Sequence, residues 1–293
     1  MAAARLRSAL AAALAVTSGT AFAQDAPTID TEDATLGSTD IGSRGRVHPQ
    51  LAVDLRNGDF ARGAYDDDRA DLARLPVHVQ LGAAIELRRD AADKPDAWLF
   101  LRSSNGFHAP GAGETTAPRA WYESNNLAAL ILSPAPGLRT AAVYTIKTSP
   151  DGVSATTHEA SLSIAYAGHD AIGMLSPSFA ATFRPKGDHG LFTQLGIEPG
   201  IDLSHRQDAA RLSLPIAAGI GWRGFYGAGS RNRSYASAGA AIEQPFTIAT
   251  THWRARAEAI AVIRDDRLAA LSGPDGETAT LVPLVTLSAS MAY

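Results

Sequence analysis

Apolar and polar residues alternate with a period of two along most of the chain after residue 45. In 77–88, for example, Val77 and Val79 occupy one parity while His78 and Gln80 occupy the other. Because successive side chains of a β-strand point to opposite faces, this period predicts strands rather than helices. The segments that show it are 47–56, 77–88, 97–104, 121–133, 138–149, 158–166, 174–184, 190–204, 211–223, 234–246, 252–264 and 280–293.

The connections between these twelve segments differ in length in a regular way early in the chain. Long polar connections over 57–75 and 105–120 alternate with short ones over 90–96 and 134–137. Long outside loops and short periplasmic turns are typical of transmembrane barrels, and an even strand number returns both chain ends to one side. The sequence therefore predicts an all-β fold, an antiparallel transmembrane β-barrel of about twelve strands over 45–293.

The N-terminal segment has the features of an export signal. A basic start is followed by a short apolar stretch over 10–16 and a small-x-small cleavage site that ends at Ala23. These features predict a signal peptide over 1–23, which is removed before folding. Residues 24–44 are polar, acidic and without periodicity, and we expect them to form a disordered lead-in.

Composition narrows the classes of protein that remain. The chain has no cysteine, which excludes disulfides, thiolate metal sites and cysteine nucleophiles. Its formal net charge of −4 becomes −6 when the two arginines of residues 1–23 are removed, so nothing attracts nucleic acid electrostatically. No apolar run approaches the ~20 residues of a membrane helix. The chain is therefore either a soluble secreted β-protein or a closed membrane barrel.

The last strand carries the signal that favours the barrel. From Val285 to Tyr293 one parity is apolar, while the other, from Thr286 to Ala292, is small and mostly polar. A cysteine-free exported chain of such strands that ends on an aromatic residue resembles the Gram-negative outer-membrane β-barrel class. The resemblance implies an outer-membrane location, contact with membrane lipid and lipopolysaccharide, and reading of Tyr293 as an assembly signal by the barrel-assembly machinery.

Aromatic residues are placed near the predicted strand ends, as the girdles of a membrane barrel require. Those expected at the periplasmic ends are Trp98, Tyr166, Phe246 and Trp253, and those expected at the outer ends are Trp121, Tyr122, Phe183, Trp222, Tyr226 and Tyr235. Tyr144 falls in mid-strand and does not fit this arrangement.

Charged residues on the less apolar strand faces are the main candidates for function. An Arg or Lys that faces lipid at mid-bilayer costs about 2–4 kcal/mol, so we expect these side chains to point inward. The predicted lumen-lining residues are Glu198, Asp202, Arg254, Arg256 and Glu258, and further inward charges are expected at Lys147, Glu159, Arg184, Arg211 and Arg223. Because both signs are present, we expect pairing across the interior. Such pairing predicts that the protein is either a narrow passive channel for small polar solutes or a barrel with a structural role.

A second hypothesis is a lipid hydrolase. Ser104-Asn105-Gly106 resembles part of the H-x-S-N-G stretch of the outer-membrane phospholipase A family, whose barrels also have twelve strands. In that family a histidine two residues before the serine activates it. The matching position here is Arg102, which stays protonated and is not a base.

The remaining motifs predict no further site. A G-x-G-x-x-G pattern at 219–224 is not followed by the helix that a dinucleotide site needs. The acidic stretch 65–71 lacks the glycine and distal glutamate of an EF-hand loop. The eight histidines form no close pair in sequence. We therefore expect no cofactor and no metal site.

Overall fold

The protein is described here from a computed structural model, in which the described residues are 46–58, 60–65, 75–110, 116–186, 189–206, 208–227, 229–249, 251–271 and 278–292. Several predicted features lie outside these residues, namely the signal peptide 1–23, the lead-in 24–44, the acidic run of the first long connection and Tyr293. They stay predictions.

Twelve antiparallel strands form the fold, and the predicted fold class is confirmed. They are β1 (Val47–Arg56), β2 (Val77–Arg89), β3 (Pro95–Phe107), β4 (Trp121–Ala135), β5 (Leu138–Thr148), β6 (Thr157–Tyr166), β7 (Ser178–Lys186), β8 (Leu191–Ile197 and Gly200–Asp202), β9 (Arg211–Ser213 and Ile216–Gly221), β10 (Arg233–Ile248), β11 (Thr251–Arg264) and β12 (Leu281–Ala292).

The sheet closes on itself because β1 pairs with β12 as well as with β2. Closure leaves no sheet edge with unpaired backbone groups. The interruptions in β8 and β9 fall at Pro199 and Pro215, which have no N–H to give to the ladder. A bond from the Leu214 amide to the Pro199 carbonyl, at 2.9 Å, bridges the gap between these strands.

The two ends of the barrel differ. The described residues of connections 57–76, 108–120, 149–156, 187–190, 222–232 and 265–280 lie at one end, which we call the loop end, and those of 90–94, 136–137, 167–177, 203–210 and 249–250 lie at the other, the turn end. In the described part of the chain, helix is confined to a 3₁₀ turn at Gly173–Leu175 and to α1 (Asp266–Ala269) in the last connection. Among the described residues, no helix has the length and apolar character to cross a membrane.

The exterior of the wall is apolar all the way around. Each of the twelve strands contributes at least one large hydrophobic side chain that is exposed, as with Leu81 on β2, Leu162 on β6 and Leu195 on β8. The side chains between them on the same strands are mostly buried, and since the sheet is closed, that buried face is the interior.

The aromatic prediction is correct for some residues and wrong for others. Phe183 and Trp222 are exposed at the loop end, and Phe246 stacks on Trp253 at the turn end with ring centroids 6.4 Å apart. Three of the predicted girdle residues instead lie buried inside the barrel, namely Trp98, Tyr122 and Tyr235.

A bulge explains the position of Tyr122. The pairing of β3 with β4 shifts between Gly106 and Phe107, so that Tyr122 is an extra residue between the partners of these two. Glu123 lies opposite Gly106, and Trp121 lies opposite Phe107. The shift turns Tyr122 inward beside Glu123 and leaves Trp121 outside, stacked on Phe107 at 6.2 Å.

Candidate functional site at the loop end of the barrel

Nine buried side chains fill the lumen at the loop end, and we call them the mouth cluster. They are Phe60, Phe192, Phe225, Tyr235, Ile260, Val262, Leu268, Val282 and Leu284. Six belong to the inner wall of β8 and β10–β12, while Phe60, Phe225 and Leu268 come from three different loop-end connections. Three loop-end connections therefore fold inward and pack against the inner wall.

Each of these connections is held by local structure. Leu268 lies on α1, whose N-cap Asp265 accepts a bond from the Leu268 amide at 2.7 Å and another from the Ser234 amide of β10. Phe60 lies on a small hairpin in which Phe60–Ala61 pairs with Ala64–Tyr65. The hairpin turns at Arg62 and Gly63, with φ of 51° and 77°. Positive φ at both central residues is the requirement of a type I′ turn.

Gly63 allows the close approach of this hairpin to the wall. A Cβ at this position would lie 2.6 Å from Cδ1 of Tyr235 and 2.7 Å from Cδ2 of Leu268. Its positive φ is also unfavourable for other residues. A glycine is thus needed for the turn to sit in the mouth cluster.

We expect Gly63→Ala to destabilise the folded barrel by more than the roughly 1–2 kcal/mol that a left-handed conformation costs an L-residue, because its Cβ would also meet Tyr235 and Leu268. Unfolding in urea, followed by tryptophan fluorescence in detergent micelles, measures this. Gly229→Ala is a matched control, because Gly229 also has a positive φ but nothing lies within 4 Å of its Cβ position. A larger loss for Gly229→Ala than for Gly63→Ala would contradict the packing argument.

The hairpin is tied to a distant part of the wall by an ion pair. Both Nη atoms of Arg62 donate to the carboxylate of Glu159 on β6, each at 2.6 Å. The Glu159 side chain is fully buried. Since β6 lies five strands from β1 around the wall, Arg62 connects the first loop to the other side of the lumen.

Two further cations share the same carboxylate. Arg184 Nε lies 2.9 Å from Glu159 Oε1, and Lys147 Nζ lies 3.7 Å from Oε2. The Arg184 guanidinium also lies over the Phe225 ring, 4.1 Å from its centroid, and donates to the Phe225 carbonyl at 3.0 Å. Glu159 therefore holds two of the three inward connections, one through Arg62 and one through Arg184.

A second polar network lies beside this one, around His78. Its Nε2 lies 2.7 Å from the Tyr122 hydroxyl and 3.3 Å from Glu123 Oε2, while its Nδ1 lies 3.3 Å from Asp54 Oδ1. Arg56 Nε donates to Asp54 at 2.6 Å. Every charge in this network faces an opposite charge, an arrangement that stabilises buried ionic groups.

The predicted lumen-lining residues fall into three groups. Arg256 lies between Glu198, 2.9 Å from its Nη1, and Glu258, with which it forms a close ion pair, and all three are buried. Arg254 lies 3.7 Å from Glu243, apart from this triad. Asp202 is exposed at the turn end, 3.5 Å from Arg211.

One sequence expectation is wrong, and one functional residue was missed. Arg223 was expected to point inward, but it is exposed because β9 ends at Gly221 and Arg223 belongs to the following connection. Arg62 was not singled out, because it lies in a polar connection and only the folding of that connection brings it to Glu159. The Arg62-Gly63 pair, which is compatible with a tight turn, was the one feature of the sequence that could have drawn attention to this residue.

The geometry does not support Ser104 as a nucleophile. Ser104 is buried inside the barrel, and its Oγ has no hydrogen-bond partner among the described residues. His78 bonds Tyr122, and His108 stacks on Tyr122 at 4.4 Å. A nucleophilic serine needs a base within hydrogen-bond reach, and neither His78 nor His108 forms a hydrogen bond with Ser104 Oγ.

The comparisons with solved structures give matches of low sequence identity. The chain resembles LpxR from Salmonella typhimurium (10% identity, TM-score 0.44, covering 83% of this chain and 99% of that one). It also resembles a Pseudomonas aeruginosa FadL homologue (12% identity, TM-score 0.37, covering 85% and 90%). No family model and no curated protein matches the sequence. The closed twelve-stranded wall confirms the barrel fold of the outer-membrane class that the sequence resembles.

Proposed function

We propose that the protein is an integral outer-membrane barrel that acts as a narrow, gated passage for small polar solutes. Its membrane location is supported by the exterior, where all twelve strands present large apolar side chains. Monomeric soluble proteins rarely expose an apolar surface so extended, and a closed barrel is the one β-architecture that lipid accommodates.

The location is tested by extraction. We expect the protein to stay with the outer-membrane fraction after washing with alkaline carbonate or high salt, and to dissolve only in detergent. The boiled and unboiled protein should also migrate differently on a gel, as folded barrels do. Release by carbonate would contradict the membrane location.

The gating part of the proposal is carried by one observation, the bidentate pair between Arg62 and Glu159. It ties a loop to the far wall at the mouth, and this loop carries Phe60 into the lumen. Three cations around one carboxylate also leave positive charge at the mouth. When the loop withdraws and takes Arg62 with it, Arg184 and Lys147 still outnumber the Glu159 carboxylate, and their net positive charge favours small anions over cations.

The gate is tested by single-channel recording in planar bilayers. We expect brief and infrequent openings in the wild type, because the closed state is held by buried contacts. Arg62→Ala should lengthen the openings, since it removes the pair but not the wall. Arg88→Ala is the matched control, because it breaks an exposed pair with Asp96 at the turn end. A large and steady wild-type conductance would show an open porin and contradict the gate.

A further inference from the structure

A groove interrupts the lipid-facing wall on β4–β8, close to the loop end. It has a volume of about 530 Å³, within the range of clefts that hold small ligands, about 300–1,000 Å³. Ala160 of β6 forms its floor, directly between Tyr144 of β5 and Phe183 of β7. Ala142 and Ala181 flank Leu162 in the next row toward the turn end. The small residues leave an apolar channel along the strand direction.

The groove becomes polar at its loop end. The Tyr144 hydroxyl lies 2.7 Å from Nδ1 of His158, the outward residue that precedes Ala160 on β6. Lys186, the last residue of β7, is exposed and lies opposite His158 in the strand register. His189 stacks on Phe183, with ring centroids 6.4 Å apart. One lysine and two histidines thus surround the end of an apolar groove.

This arrangement matches an amphiphile with a negative headgroup. Acyl chains fill apolar grooves, and basic side chains at the membrane surface attract anionic lipids by about 1 kcal/mol each. The register places Tyr144 in one row with Ala160 and Phe183, near the loop end, which corrects the mid-strand position expected from sequence. The Tyr144 ring forms one wall of the groove, while its hydroxyl reaches the polar end through His158.

We propose that this groove binds one acyl chain of a lipid of the outer leaflet whose phosphate headgroup has a net negative charge, with the phosphate beside Lys186 and His158. The site rests on the membrane location proposed above but not on the gate, because it lies on the outside of the wall. The conductance test of the gate and the binding test of the lipid site therefore give independent results.

Native mass spectrometry of the folded, detergent-purified barrel tests the site. The protein is mixed with equal amounts of dimyristoyl phosphatidic acid and dimyristoyl phosphatidylcholine, which share their chains and differ in headgroup. We expect the wild type to retain phosphatidic acid preferentially. Lys186→Gln should lower that preference about fivefold, the equivalent of one basic group at the surface. Ala160→Leu, which fills the floor, should abolish retention of both lipids.

Matched controls lie elsewhere on the barrel. Lys94→Gln changes a lysine in a turn-end connection, and Ala259→Leu enlarges an exposed alanine on β11. Both should bind lipid as the wild type does. A heat-modifiability gel checks folding, and Ala142→Leu is the second groove-filling variant if Ala160→Leu does not fold. An unchanged lipid preference in Lys186→Gln, or full retention in the groove-filling variants, would overturn the site.

Discussion

Replacing Glu159 by glutamine should raise the open probability of the barrel by about ten- to a hundredfold. Hydrogen bonds to charged groups contribute about 1.5–3 kcal/mol, and each 1.4 kcal/mol is a factor of about ten in an equilibrium. The Glu159 carboxylate accepts two bonds from Arg62 and one from Arg184. Glutamine keeps the shape of the side chain but removes the charge, so three cations are left without their shared anion.

Single-channel recording measures this effect, with the total open time as the observable. Glu243→Gln is the matched control, since Glu243 faces Arg254 at a longer distance, 3.7 Å, and lies toward the turn end. It should leave the open time unchanged. If the total open time of Glu159→Gln equalled that of the wild type, the result would show that Glu159 stabilises the wall and does not control gating.

The strand pattern was largely predictable because a period of two is a local property. All twelve predicted segments correspond to strands, including 234–246, whose alternation is the weakest because it is mostly alanine, glycine and serine. The parity of β3 was harder to assign, because Trp98 and Phe100 face inward while Leu99 and Leu101 face outward. With both faces apolar, alternation does not tell the interior from the lipid side.

The side-chain contacts at the loop end could not be predicted from the sequence, because they join residues that are far apart in the chain. Arg62 and Glu159 are 97 residues apart in the chain, and nothing in the period of either segment relates them. The inward turn of Tyr122 depends on a one-residue bulge, which reverses the parity of the residues beyond it. Sequence alternation shows that one face of a strand differs from the other. It does not show which charged side chains meet, because that depends on the strand register and on how the loops fold.

The folded contacts also distinguish the two arginines of β11, which the sequence pattern does not. From sequence, Arg254 and Arg256 were equivalent, since they share a parity and differ by one strand repeat. In the structure only Arg256 is central, because it is buried between Glu198 and Glu258, and Ser213 donates to Glu198 at 2.6 Å. Arg254 lies 3.7 Å from Glu243, and both side chains are less buried than those of the triad.

We therefore expect Arg256→Ala to destabilise the barrel by about 3–5 kcal/mol, the usual cost of leaving a buried charge without its partner. Arg254→Ala should cost less than ~1 kcal/mol, as a weak and partly exposed pair does. Urea unfolding in micelles compares the two. Adding Glu258→Gln to Arg256→Ala should recover part of the loss, because one of the two uncompensated carboxylates is then neutral. Equal losses for the two arginine variants would show that Arg256 does not hold the triad together.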